Sequence, residues 1–328
     1  MLYSVRSTER SVRRRLTNDL SRARFDRAKR FVEEAKRRAA GGEIAFRMHA
    51  RWLKFLCRQT PVQKDIWPQQ TDFLHHFATV FGLPLTERRE FVALALLGQL
   101  WREWCFNELM KGPPELLARL MQVMGWEHFD RARRDGAGVI LLPVHGQFSR
   151  LFRPYLRHRG HDSLEVGITN ERLGQKGVLT PAAKRFELAR QMHAAKHRLV
   201  QGGIACNLPD ARQNLDYSRS VAFFGRQRRL AAGFAELALA TGAHVLPLAL
   251  RFSPRGHFVM EFGPPLQVPA SPATHDERVD SLVGQYADFL RGEWRRYPWN
   301  IHWTHLHYYL ELPEIDRRPI PGDRMRAG

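Results

Sequence analysis

Cysteine is scarce. The chain has three, Cys57, Cys105 and Cys206, too few and too scattered for a disulfide framework, and no CxxC pair points to a structural zinc. A reducing, cytoplasmic compartment is the expectation. Long apolar runs are missing as well. The most apolar helical stretch, FVALALLGQLW from Phe91 to Trp101, is bracketed by Arg88, Arg89 and Arg102, and it falls well short of the ~20 residues that span a bilayer. The opening MLYSVRSTERSVRRRL puts charges where the apolar core of an export signal would lie. The expectation is therefore a chain that neither crosses a membrane nor is exported. There is no Gly-rich phosphate loop, because the pair Gly202–Gly203 precedes a strand and fits a turn. Helix-turn-helix, RNP and zinc-finger motifs are absent too, as are internal repeats and low-complexity linkers.

Acidic charge is in deficit. Lys+Arg number 52 against 33 Asp+Glu, a formal net charge of +19. Residues 1–60 hold 17 Lys/Arg against 6 Asp/Glu, a local excess of +11. Such a field attracts polyanions, whether nucleic acid or an anionic membrane surface. It is equally the solvated face of a basic protein. With 328 residues, 44% of them hydrophobic, the chain suffices for one large domain or a domain with a helical extension.

Residues 1–40 read as an arginine-rich helix stopped by Gly41 and Gly42. IAFRMHARWLKFLCRQ is a second helical segment, fit either to lie in a membrane interface or to dock on a core. The helical pattern continues from Asp72 to Trp126. Thr86 is the expected N-cap of one helix, and Pro114 and Gly125 are the expected first turn and end of another. Thereafter short apolar runs alternate with helical segments, the mark of an α/β unit with a largely parallel sheet. The runs are 138–144, 164–168, 204–209 and 244–252, and the last forms an antiparallel hairpin with HFVMEF through SPRG. Helices are expected at about 181–201, 230–241 and 276–296.

In open α/β sheets, function gathers at the carboxyl ends of strands. His145 stands there, directly after VILLPV. A buried histidine that merely closes a strand would look the same. The residues around it and downstream distinguish the two.

Read together, ILLPVHGQFSRLF, LVQGGIACNLPDARQ, VAFFGRQRRLAAGFAELALATGAHVLPLALRF and FVMEFGPPL resemble the bacterial lipid A late acyltransferases, a branch of the lysophospholipid acyltransferase superfamily. The shared pieces are His145 and Gly146, Pro209 and Asp210, Phe223 to Gly225, Gly233 to Ala243, and Val245 to Pro247. The aromatic tail YPWNIHWTHLHYY is similar as well, and the likeness covers about residues 75–310. Composition sets off a basic helical region over 1–70, suited to a membrane surface, and a tail over 313–328. The likeness implies a mixed, largely parallel sheet flanked by helices and an acyltransferase-like α/β domain over 71–312. It also implies that His145 is a general base, taking the proton of an acceptor hydroxyl or amine as it attacks an acyl thioester.

The family holds that histidine with a carboxylate five positions on, in H-x4-[DE]. Here the fifth residue is Arg150, and His158, His161, His193, His197 and His244 do not restore the pattern. An arginine disfavours the imidazolium. In the serine-protease template, loss of the orienting acid costs roughly 10⁴-fold. Three explanations stay open. Another carboxylate replaces the missing one, with Asp210 first and Glu165 and Glu171 behind it. The acceptor is an amine that needs less help. Or catalysis is lost and only a binding groove remains.

Asp210 reads equally well as a cap of its own loop, DARQN. Gly146, Arg150, Arg172, Phe224 and Arg226 are candidates for binding acyl or phosphate groups, arginine offering a planar donor fork. Phe148 and Phe223 read as groove lining or as core. His302, His305 and His307 in HWTHLH lack regular ligand spacing, so no metal is expected. The resemblance implies no cofactor beyond an acyl-carrier-protein or coenzyme A thioester. The expected partners are that donor, a lipid or amphiphilic acceptor and an anionic membrane surface at the inner face of the cell membrane. A catalytically degenerate lipid or carrier binder is the alternative, and a basic nucleic-acid-binding protein, resting on charge alone, is the second.

Overall fold

A computed structural model describes residues 43–59, 67–167, 181–211, 217–270 and 273–315, together with positions 30, 34 and 63. The expected arginine-rich helix over 1–40, its glycine stop, Glu171, Arg172 and most of the tail lie outside the described residues.

Helices α1 (Glu43–Cys57), α2 (Pro68–Val80) and α3 (Leu85–Trp104) come first, and a π-helical turn at Cys105–Leu109 ends α3. α4 (Pro114–Leu120), β1 (Met121–Met124) and α5 (Trp126–Arg134) follow. Then come β2 (Val139–Pro143), α6 (Phe152–His158), β3 (Ser163–Val166), α7 (Pro181–Val200) and β4 (Ile204–Asn207). A hairpin of β5 (Ser218–Phe223) and β6 (Arg226–Ala231) leads to α8 (Gly233–Thr241). β7 (His244–Ser253), β8 (His257–Phe262), α9 (His275–Arg296) and α10 (Trp303–Glu311) complete the order.

The main sheet has the order β1-β8-β7-β2-β4-β3. β7, β2, β4 and β3 run parallel, while β8 turns back antiparallel on β7 and carries β1 parallel to itself. This is the expected mixed, largely parallel sheet flanked by helices. β2 is buried at all five positions and β7 at its eight central ones, as central strands covered on both faces must be. That is why their sequences are continuous apolar runs. α9 starts on a capping box, Thr274 and Glu277 each satisfying the other's backbone N–H.

Three sequence expectations need correction. Residues 114–125 are not one helix: α4 stops at Leu120, and MQVM pairs with β8 from Met121↔Phe258 to Met124↔Glu261. A pairing partner far along the chain overrides the helical preference of Met and Gln. Gly125 ends that strand at φ +66, where a Cβ would meet the Phe262 carbonyl oxygen at 2.1 Å. The N-cap of α3 is Pro84 rather than Thr86 and makes no side-chain cap bond. Leu230 and Ala231 belong to β6, so the helix expected from 230 begins at Gly233.

One core runs from Ala50 to Leu312. α3 lies at its centre, with eight successive residues, 91–98, buried. α1 docks on it through Ala50, Leu53 and Cys57, and the ion pairs of Lys54 and Arg58 with Glu90 hold the seam. Among the described residues no helix is long and apolar enough to cross a membrane.

Candidate active site

The last residues of β2 still belong to the sheet, Val144 N–H donating to the Leu248 carbonyl at 2.8 Å. His145 then leaves it, and the chain is zipped to the segment before α10. His302 N–H donates to the His145 carbonyl at 3.3 Å, Gln147 N–H to the Asn300 carbonyl at 2.7 Å, and Gly146 bridges Ile301. A Cβ on Gly146 would sit 3.0 Å from the Asn300 carbonyl oxygen, closer than a side chain tolerates without movement. Asn300 is fixed in turn, its Oδ1 accepting from Phe252 N–H at 2.7 Å. The backbone around His145 is thus held from both the sheet and the carboxyl-terminal segment.

That clamp brings histidines together. The His145 ring centroid lies 4.3 Å from that of His305, tilted by 33°, and 5.4 Å from that of His302. His302 caps α10, its Nδ1 accepting from Thr304 N–H, which leaves its proton on Nε2. His305 Nδ1 faces Arg228 Nη2 at 3.2 Å. Because a guanidinium only donates, that nitrogen accepts and His305 is neutral. Three histidines meet here. Even so, among the described residues no group of three or more His, Cys, Asp or Glu is arranged to hold a metal ion.

Asp210 reaches this place from the end of β4, and it is 1% exposed. It grips the backbone of His145 and not its ring: Oδ2 accepts from His145 N–H at 3.0 Å. Oδ1 and His145 Nδ1 are both buried without a hydrogen bond. Arg228, fully buried, donates from Nη2 to the Asp210 carbonyl at 2.8 Å. Its guanidinium stacks on Phe223 at 4.8 Å, Trp294 at 5.4 Å and Tyr308 at 5.7 Å. The buried Tyr286 hydroxyl makes no hydrogen bond of ordinary geometry. Its phenol is held well above the usual range, by burial first and then by the Asp210 charge.

Burial dominates the histidines and favours their neutral forms. It pushes the His145 imidazole down; Asp210 opposes this, while Arg150, Arg228 and Arg102 add to it. His302 falls from 6.5 to about 3, through burial first and then Arg102, His145 and Arg150. His305 lies well below its ordinary value for similar reasons. Arg102 and Arg150 flank the site over one ring, Phe106 in the π-helical turn, at 5.2 and 5.8 Å.

These shifts fix the sign of the acid response. The unfolded chain protonates His302 near 6.5, whereas the folded chain resists until about 3. The stabilisation is therefore complete above 6.5 and is lost as pH falls toward 3. The thermal midpoint is expected to fall steadily on acidification below pH 6.5. In His302→Asn, which keeps a cap acceptor and removes the titrating ring, that fall is expected to be shallower.

Of the residues expected from the sequence, His145, Gly146, Asp210 and Arg150 are assembled here. Phe224 and Arg226 stand elsewhere, lining a cavity of about 620 Å³ with Val80, Tyr309 and Glu314. Arg226 is held there by the Leu310 and Leu312 carbonyls and by Glu314. Phe224 and Gly225 form a two-residue hairpin turn with φ of 50° and 75°, a primed turn of the kind that usually avoids bulky residues. Phe148 and Phe223 are fully buried in the core. Glu165 is engaged by Arg153 at 2.6 Å. The DARQN reading of Asp210 rests on amides at 212–214, which lie outside the described residues; the carboxylate oxygen Oδ2 accepts from His145 N–H.

The sequence reading missed Arg228, Tyr286, Arg102 and the role of His302 and His305. Arg228 left one signal: in β6 it shares parity with buried Leu230, while Gln227 and Arg229 face out.

A comparison with curated proteins found no match. A family profile described as bacterial lipid A biosynthesis acyltransferase matches residues 68–287. That span holds the sheet, His145, Asp210 and Arg228 and covers well over half of the chain, which therefore belongs to the bacterial lipid A biosynthesis acyltransferase family.

Proposed function

We propose that the chain moves a fatty acyl group from an acyl thioester, on acyl carrier protein or coenzyme A, to a hydroxyl or amine of a lipid or lipid-like acceptor, with His145 as general base. Acyl transfer to lipid follows from the family; the donor, the acceptor and the base are the proposal. One observation carries it. His145 stands at the carboxyl end of a central strand, where burial and the charges of Arg150, Arg228 and Arg102 favour its neutral imidazole and Asp210 holds its backbone N–H. Its Nδ1 is buried, so Nε2 is the nitrogen left to meet an acceptor.

In the proposed step, Nε2 takes the acceptor proton as the acceptor oxygen or nitrogen bonds to the thioester carbonyl carbon. The tetrahedral oxyanion collapses, the C–S bond breaks, and the thiolate leaves with the proton from the imidazolium. Arg102 and Arg150 set a positive field at the site, which favours the oxyanion. Asp210 and Arg228 act as positioning residues, holding His145 through its main chain. No cofactor beyond the donor enters the scheme. The chain is proposed to work as a peripheral protein on the inner membrane face, drawn by its basic charge.

The unbonded Nδ1 favours one second reading, a protein that kept donor or lipid binding and lost turnover. Mass spectrometry of products separates them, using the purified chain, acyl-carrier-protein and coenzyme A thioesters, and a panel of lyso-lipids and amines. A new acylated product supports the acyltransferase. Retained thioester or lipid binding with no product across the panel establishes the binder instead.

A further inference from the structure

A second cavity, of about 410 Å³, opens at the same end of the sheet as His145 but toward its β1 edge. It is lined by Arg47 and Arg51 of α1, Arg119 of α4, Leu120, Met121 and Gln122, Arg255 of the β7–β8 turn, and His257. Four guanidinium groups from three elements line it, and among the described residues lining it none is acidic. Like charges gathered on one cavity repel, and an anion seated among Arg51, Arg119 and Arg255 relieves that cost. The field is strong enough to be felt locally: the His257 imidazole is pushed down by burial and then by Arg47 and Arg255.

The fold builds this arrangement. β1 and β8 pair in register from Met121↔Phe258, which sets Arg119 and Met121 beside His257. Gly256, at φ +79, lets the β7–β8 turn close on α1; a Cβ there would lie 2.9 Å from Arg47 Cα and 3.1 Å from Ala50 Cβ. That contact holds Arg255 against the arginines of α1. One aromatic layer separates the cavity from the His145 loop, since Phe148 packs on Phe252 and Phe258 at 5.5 and 5.3 Å.

The outer face of α1 tells which anion fits. Met48 and Phe55 are 64% and 60% exposed, and Arg51 lies between them on the same stripe. The opposite stripe, Ala50, Leu53 and Cys57, is buried in the core. A helix docked by one side that turns two large apolar residues and arginines outward suits the plane of a bilayer interface. An acidic protein surface would use the arginines but would leave Met48 and Phe55 without an apolar partner.

We infer that the cavity lined by Arg47, Arg51, Arg119, Arg255 and His257 is a binding site for the phosphate of an anionic lipid headgroup, with Met48 and Phe55 entering the same membrane surface. The inference extends the proposed membrane location and stands independently of turnover at His145.

Vesicle co-sedimentation at physiological salt tests it, with one part phosphatidic acid to three parts phosphatidylcholine. Arg119→Gln/Arg255→Gln is expected to weaken partitioning roughly thirtyfold, with the thermal midpoint unchanged because both side chains are exposed. Met48→Ser/Phe55→Ser weakens it as well. A charge-matched pair on exposed positions elsewhere, Arg131→Gln/Arg157→Gln, is expected to change it less than about threefold. Equal losses in both arginine pairs mean diffuse charge and overturn the site, as does no loss in the first pair. Inorganic phosphate, titrated alone by calorimetry, distinguishes a soluble ligand. Phosphate binding that vanishes in Arg119→Gln/Arg255→Gln while vesicle partitioning is unchanged overturns the lipid assignment. So does a slower rate with a carrier-protein thioester at unchanged partitioning.

Discussion

His145→Ala is expected to lower kcat/KM for acyl transfer by roughly 10²–10⁴-fold, the contribution of a positioned general base. The thermal midpoint is expected to hold, because the fold anchors this segment by main-chain bonds that the substitution keeps: His302 N–H to the residue-145 carbonyl, the residue-145 N–H to Asp210, and Gln147 N–H to Asn300. Loss of rate without loss of stability separates a base from a buried structural histidine. An acylation rate that His145→Ala leaves intact would remove His145 from the chemistry.

Arg228→Met is expected to give the largest effect on stability. The side chain keeps its length and loses its charge: the Asp210 main-chain carbonyl loses its donor, and the buried Asp210 carboxylate, 1% exposed, loses the positive charge that faces it through space. Breaking a buried pair by removing one partner costs about 3–5 kcal/mol, which in a domain of this size lowers the thermal midpoint on the order of 10 °C. His305 loses the donor that fixes its tautomer at the same time. Asp210→Asn/Arg228→Met, with no buried charge remaining, is expected to cost less than the two single changes together. Additive effects, or a midpoint unmoved in Arg228→Met, would show that the aromatic cage around Phe223, Trp294 and Tyr308 holds the fold without the charge pair.

Much of this framework is legible in the sequence because of burial. β2 and β7 are covered on both faces, so VILLPV and VLPLALRF announce themselves as central strands, and His145 and Asp210 follow from standing after strand ends. The edges are less legible. MQVM satisfies a helix or a strand equally well, and β8, far along the chain, decides which it is. β5 and β6 carry few apolar residues, and their turn holds a phenylalanine at φ 50°, contrary to turn chemistry. The histidine run before and within α10 is visible as a run. Nothing local says that the segment folds back beside β2, because the clamp is made of backbone bonds between Gly146, Gln147 and residues 300–301. The sequence also places Asp210 near the site without revealing that its oxygen holds a main-chain N–H in place of the imidazole.

At the centre stands the proposed base, His145, held through its backbone N–H by Asp210, with Arg150 five residues on, where the resemblance leads one to expect an acid. Steady-state kinetics of Asp210→Asn measure that positioning directly, with rates referred to the folded fraction. The amide keeps a carbonyl oxygen able to accept from His145 N–H and removes only the charge. Main-chain positioning predicts a loss of kcat/KM of less than about tenfold, in line with one neutral hydrogen bond exchanged for a charged one. A loss near 10⁴-fold, the size seen when an acid that orients a catalytic imidazole becomes its amide, would mean that Asp210 serves the ring and would contradict the account.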